Sequence, residues 1–371
     1  MVEQPWDRLR LSTYLRAVLG PSTELQAVEP LGGNGRAADP KGFGYGQPFQ
    51  VRCRVEGAVR TVVVARTRPV QGFGHDYPED RAWQALYAHR AYNTFPGHVR
   101  SLDVGFRRAD GELVSAADAV EFFQLVEKAD GALYWLDLDR LLTGELRPLD
   151  VERATALARF LARAHGERRD EPTLYARRIR ELVGHGECLM GILDSYPHPY
   201  PLLPSQDCEA MERAAVGWRW RLRSRAARLA RVHGDFHPWN LLFGAGADFS
   251  VLDRSRGEWG EAADDTAALG INYLFFGLRR RASRGGRGVA EPFRVLWGSF
   301  FEAYLDASGD ADHGRFLPPF LAFRALVVAH PVWYPNLDQS TRRALIGLAK
   351  RLLSSEHIDP LAVPELLSAG S

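Results

Sequence analysis

The chain has 371 residues, 46% of them hydrophobic and 25% charged, with 47 basic against 46 acidic side chains. This length is enough for two domains or two lobes, and the composition is that of a globular chain. A formal charge of +1 supplies no global field toward nucleic acid or a membrane, three scattered cysteines without C-x-x-C exclude a disulfide framework, and no apolar run approaches the ~20 residues that cross a bilayer.

The first ten residues carry Glu3, Asp7, Arg8 and Arg10, unlike a signal peptide. A reduced, cytoplasmic protein is expected, monomeric or homodimeric, without membrane or nucleic-acid partners. Only Lys41, Lys128 and Lys350 are lysines, so a task usually given to lysine falls to arginine.

In chain order, Trp6, Leu9, Leu11, Tyr14, Leu15 and Val18 recur at helical spacing over 5–19, and Gly20-Pro21 ends that helix. A strand is expected over 25–30, followed by a glycine-dense stretch, 32–46. The runs 49–55 and 61–66, separated by Glu56-Gly57, predict a hairpin. Pro78 opens a helix over 79–92. Strands are predicted at 102–106 and 120–126. Helical patterns then dominate: 151–164, an arginine-rich 209–231, 262–276, 291–305, 316–332 and 340–353. Two short strands, 240–243 and 249–252, interrupt them. The segment 279–288, RRRASRGGRG, predicts a mobile loop. A β-rich first part before an α-rich second predicts an α+β chain of two lobes, 1–127 and 128–371.

The sharpest motif is His233-Gly234-Asp235-Phe236-His237-Pro238-Trp239-Asn240, followed by Asp253 at the end of the next strand. An aspartate, an asparagine five residues on and a second aspartate after the following strand form the layout of phosphoryl transfer. One carboxylate takes the acceptor's proton, while the amide oxygen and the other carboxylate hold Mg²⁺ on the phosphates.

The run 233–240 resembles the catalytic loop of the aminoglycoside phosphotransferase/choline kinase-like family, in which H-G-D-x-x-x-x-N recurs. Gly260-Glu261-Ala262-Ala263-Asp264-Asp265 is similar to that family's G-D-P-A-x-D segment, and Ala164-His165 to its helix end. The resemblance implies a two-lobed protein-kinase-like fold and an ATP-dependent enzyme, with GTP an alternative, acting on a small-molecule hydroxyl. It makes Asp235 the catalytic base, Asn240 and Asp253 the Mg²⁺ ligands, and Asp265 the brace of the loop. Arg66, at a strand end, would take the phosphate-binding lysine's place, with Glu79 as its acidic partner. The stretch 32–46, including Gly33 and Gly35, would cover the nucleotide, and the backbone of Glu127 and Ala129 would contact adenine.

Two departures stand out. Asp253 is followed by Arg254-Ser255-Arg256 in place of an aromatic and an acid, which sets cations beside the metal ligands, and the glycine-rich stretch is longer than the family's; within it Lys41 competes with Arg66 as the phosphate cation. Against a P-loop, 32–46 does not fit G-x-x-x-x-G-K-[ST]. His165, His233 and His237 read as structural or loop histidines. Trp218 and Trp220 read as core within an arginine-solvated helix. The arginines of 279–294, with Arg315 and Arg324, leave room for a neutral or anionic acceptor rather than a polycation. The competing readings are a nucleotide-binding pseudokinase or scaffold, suggested by the missing strand lysine, and a metallohydrolase using His233, Asp235 and His237.

Overall fold

A computed structural model describes residues 6–31, 45–70 and 72–368. The chain divides into two compact units, Met1–Val126 and Glu127–Ser371.

In the first unit, α1 (Arg8–Leu19) starts where the Asp7 side chain accepts from the Arg10 backbone N–H. Strands β1 (Glu24–Pro30), β2 (Gly46–Val55) and β3 (Ala58–Thr67) form an antiparallel sheet in that order. The β2–β3 turn is Glu56-Gly57, with φ of 49° and 84°. Two consecutive left-handed residues match the twist of a hairpin. Leu11 and Leu15 of α1 bury against Val51 of β2, with Val62 and Val64 of β3 alongside. Helix α2 (Pro78–Tyr92) follows, capped by Asp80, which accepts from the Tyr77 N–H.

The strand predicted at 102–106 is shifted: β4 (Gly105–Arg107) pairs with β5 (Leu113–Ser115) across a turn at Gly111. The strand predicted at 120–126 does not form. That stretch has no regular secondary structure and is solvated, with Val120 99% exposed. β-Branched and aromatic residues favour strands only where a neighbouring strand supplies partners.

The second unit is mainly helical. It runs through β6 (Ala132–Leu133), α3 (Trp135–Arg140), α4 (Pro148–His165), α5 (Pro172–Gly184), α6 (Leu189–Ser195) and α7 (Ser205–Leu222). Proline occupies the first turn of α4 and α5, where its missing N–H costs nothing. The predicted long helix over 209–231 ends early. After α7 comes a 3₁₀ turn, Ala226–Arg228, and then β7 (Leu229–Arg231). Residues 229–231 find strand partners downstream, which outweighs local helical preference. Trp218 is buried as expected, but Trp220 is 61% exposed, with the Arg219 and Arg223 guanidiniums against its ring. Two residues apart on a helix point to different faces, so both cannot enter one core.

The hairpin β8 (Leu241–Phe243) and β9 (Phe249–Val251) joins β6, while β10 (Trp259–Glu261) pairs antiparallel with β7. Helix α8 (Ala262–Ala282) is apolar nearly all round and buried nearly all round. It packs against α9 (Glu291–Ser308) and α10 (His313–Val328), with α11 (Gln339–Ser354) and α12 (Val363–Leu366) completing the unit. Helix α8 runs into the segment predicted as a mobile loop. Arg280 is buried and donates to the Leu141 carbonyl and, at 2.6 Å, to the Gly144 carbonyl. Its stem extends the helix because its charge has two carbonyls to meet.

Candidate active site

Strands β7 and β10 bring two distant segments side by side: the run 232–240 that follows β7, and the start of α8 that follows β10. Asp265, in the first turn of α8, is fully buried. Its Oδ1 accepts from the Gly234 N–H and its Oδ2 from the His233 N–H, both at 2.7 Å. His165 Nε2 donates to the same Oδ2 at 3.1 Å, while its Nδ1 lies 2.9 Å from the Tyr304 hydroxyl. Burial alone would raise the Asp265 carboxyl. The hydrogen bond and charge of His165, with the His233 N–H, outweigh it and hold the group below its ordinary value.

Gly234 has φ +86°, and a Cβ there would lie 3.0 Å from Cβ of Arg256. Both the left-handed backbone and the close approach require glycine. His233 Nδ1 accepts from the Asp235 N–H, and its Nε2 donates to the Leu252 carbonyl at 2.9 Å. This ties the loop to the chain just past β9.

The Asp235 side chain is largely buried among charged partners. Arg324 Nη1, from α10, meets Oδ1 at 2.7 Å. His237 Nε2 and Arg256 Nε lie 3.5 and 3.8 Å from Oδ2. Burial works to raise this carboxyl, but the His237 hydrogen bond and the Arg324 and Arg256 charges push it far below the usual range. Arg324 also holds Asp264 and the Gly234 carbonyl. Burial keeps the Asp264 carboxyl raised despite that partner.

Pro238–Asn240 forms a 3₁₀ turn entering β8. Asn240 Nδ2 donates to the Asp235 carbonyl at 3.0 Å, leaving Oδ1 as the atom able to ligate a cation. The Leu252 N–H donates to the Asn240 carbonyl at 2.8 Å. Asn240 and Asp253 therefore lie at the same end of the β8–β9 hairpin. Asp253 is exposed and has φ +50°, a conformation that is costly for a non-glycine residue and common at functional sites. An amide oxygen and a carboxylate are hard donors, which suits Mg²⁺.

The cations after Asp253 divide. The Arg254 guanidinium is turned onto the Val232 and Glu258 carbonyls, whereas Arg256 reaches toward Asp235 and Glu187. His233 and His237 each give Nδ1 to a backbone N–H and Nε2 to the loop or Asp235. No group of three His, Cys, Asp or Glu among the described residues is placed to hold a metal.

The predicted nucleotide residues fall in the first unit, at the start of the second, or outside the described residues. Arg66 is an exposed residue of β3, and Glu79 an exposed residue in the first turn of α2. Glu127 and Ala129 lie in chain without regular secondary structure at the start of the second unit. Gly33, Gly35 and Lys41 fall outside the described residues. Arg324 does not sit as a free cation near the acceptor, because its charge is spent on Asp235 and Asp264. A lone arginine within the apolar run Phe323–Val328 was the available signal, since buried arginine is rare without a partner.

A cavity of about 310 Å³ adjoins the loop, walled by Trp135, Trp239, Trp333 and Tyr334, with Asp139 and Arg279 at its edge. Trp135 and Trp239 are nearly parallel, with ring centres 6.1 Å apart. Trp239 also touches His237, whose Nε2 faces Asp235.

No protein-family model matches the sequence, and no curated protein matches it significantly. Solved structures with a similar course of chain include a glucosamine kinase, 19% identical, over 92% of this chain and 96% of that one, at a TM-score of 0.40. An ethanolamine kinase of Plasmodium vivax is 13% identical over 94% and 81%, at 0.37. A choline kinase of Streptococcus pneumoniae is 12% identical over 93% and 97%, at 0.35. With TM-scores this low, the chemistry of the site rests on its own side chains. Among the described residues, no helix is long and apolar enough to cross a membrane.

Proposed function

We propose that this chain is an ATP- and Mg²⁺-dependent phosphotransferase that moves the γ-phosphate to a hydroxyl of a small molecule. One observation carries the reading. A single braced loop holds the Asp235 carboxylate, and the Asn240 amide is anchored on the Asp235 carbonyl so that its oxygen is left for a cation, beside Asp253 at the hairpin end. The acceptor hydroxyl gives its proton to Asp235 as its oxygen bonds to the γ-phosphorus; the bond to the β-phosphate oxygen breaks and ADP leaves. Asn240 and Asp253 would hold a divalent ion, which would supply positive charge to the phosphates. Arg66, Glu79, Glu127 and Ala129, with Gly33 and Gly35, are the residues proposed for the nucleotide.

The reading is tested by Mg²⁺-dependent ATP turnover against a panel of hydroxyl compounds, since a pseudokinase would bind nucleotide and transfer nothing. Asn240→Ala and Asp253→Ala are expected to raise the Mg²⁺ concentration for half-maximal rate about tenfold or more, with partial recovery of Asn240→Ala in excess Mg²⁺. Unchanged Mg²⁺ dependence in both variants would remove these residues from the metal site.

The aromatic cavity is the proposed seat of the acceptor. Its rings favour a flat or ring-shaped compound, and its single carboxylate gives no counter-charge for a polycation. Trp135→Ala is expected to raise the acceptor's KM about tenfold, the equivalent of one lost ring contact of ~1.4 kcal/mol, leaving the nucleotide KM unchanged. Steady-state kinetics with each substrate varied in turn check this.

A further inference from the structure

We infer that Arg324 is a positioning residue: by holding Oδ1 of Asp235, it leaves Oδ2 as the oxygen that meets the acceptor hydroxyl. The inference rests on the phosphotransfer reading of the site.

Arg324 enters from α10, far from the loop in sequence, and its side chain is only 6% exposed. Its Nη1 donates to Asp235 Oδ1 at 2.7 Å. Its Nη2 donates to the Gly234 carbonyl at 2.8 Å and to Asp264 Oδ1 at 2.7 Å, and its Nε reaches the same Asp264 oxygen at 3.2 Å. Three nitrogens of one rigid plane are thus fixed by two carboxylates and a carbonyl on different segments. A planar fork held at both ends cannot rotate, so Oδ1 cannot rotate away from it. The neighbours of Oδ2 are longer contacts from more accessible side chains, His237 at 3.5 Å and Arg256 at 3.8 Å. The two oxygens of one carboxylate therefore have different duties: Oδ1 is anchored, and Oδ2 is the oxygen open to a proton. The Gly234 carbonyl adds a second anchor on the loop itself, next to the N–H groups held by Asp265. Asp264 serves as the far post that keeps the guanidinium in plane.

Lysine cannot reproduce this, because one ammonium cannot span both carboxylates. Once an acceptor is identified, Arg324→Lys is expected to lower kcat about tenfold to a hundredfold, the scale of a small misplacement of a reacting group, with KM for nucleotide and acceptor within about twofold. Asp264→Asn, which leaves Asp235 and Arg324 in place but weakens the far post, is expected to lower kcat by a smaller factor in the same direction. Guanidinium added to Arg324→Ala is expected to restore part of kcat. All rates are taken per folded molecule, from the folded fraction measured by circular dichroism. Folded Arg324→Lys with wild-type kcat, or an effect confined to KM, overturns the inference. So does a loss that follows only the unfolded fraction and shows no rescue. If Arg324→Ala does not fold, Arg324→Lys and Asp264→Asn carry the test. Wild-type protein that phosphorylates nothing overturns the phosphotransfer reading itself, whereas an active wild type with indifferent variants overturns only the role of Arg324.

Discussion

Asp235→Asn is expected to lower kcat by about 10²–10⁴-fold, the range a positioned general base contributes. The substitution keeps the side chain's size and its hydrogen bond to Arg324 while removing the proton acceptor. Nucleotide affinity should hardly change, because the nucleotide's proposed contacts lie on other residues. The fold should also hold, since Arg324 retains Asp264 and the Gly234 carbonyl. Paired measurements of kcat and of nucleotide Kd by titration calorimetry check both halves. The depressed Asp235 carboxyl has a further consequence: the base stays ionised throughout the neutral range, so no loss of rate near pH 6 should arise from its protonation. A variant retaining more than a tenth of wild-type kcat would exclude Asp235 as the base.

The second large effect is on stability. Asp265→Asn is expected to cost about 3–5 kcal/mol, the scale of breaking one side of a buried charged network. The two backbone N–H groups of His233 and Gly234 each use one carboxylate oxygen. Asparagine supplies one oxygen, so one buried N–H loses its acceptor and the loop its brace. Urea unfolding at constant pH gives the difference directly. The sign of the pH dependence follows from the depressed carboxyl. Asp265 stabilises the folded state above the ordinary aspartate value, and that contribution is lost as the pH falls below about 4 toward its folded-state value. Asp264 acts in the opposite sense: its raised carboxyl takes up a proton earlier in the folded state, which relieves a cost on acidification. The acid loss should therefore be smaller in Asp265→Asn than in the wild type.

The proposed base and metal ligands, Asp235, Asn240 and Asp253, belong to one local unit, a loop and the hairpin that follows it. The hydrogen bonds that organise that unit, Asn240 to Asp235 and Leu252 to Asn240, span five and twelve residues. Residue spacing therefore carries most of the geometry. The hairpin at Glu56-Gly57 was legible for the same reason: a two-residue turn needs a left-handed backbone, and glycine supplies half of it at no cost. The strand expected at 120–126 failed because pairing, unlike helix formation, is not decided within the segment. The end of α7 was misplaced for the same reason, since residues 229–231 became a strand only by meeting 259–261.

Local sequence was enough to read a β-rich part before an α-helical one and to single out the short run proposed for chemistry. Turn residues, apolar periodicity and motif spacing all act over a few residues and are written in order. Only the tertiary structure decided that Arg324 spends its charge on Asp235, that Arg254 turns to backbone carbonyls, and that Trp135 joins Trp239 in walling a cavity. The Arg324–Asp235 and Trp135–Trp239 pairings connect residues about ninety and a hundred apart, and Arg254 reaches back 22 residues to Val232, separations at which distance along the chain says nothing about distance in space. A charge's role depends on which partner removes it from water, and that partner is chosen by the packing of helices, not by its neighbours in the chain.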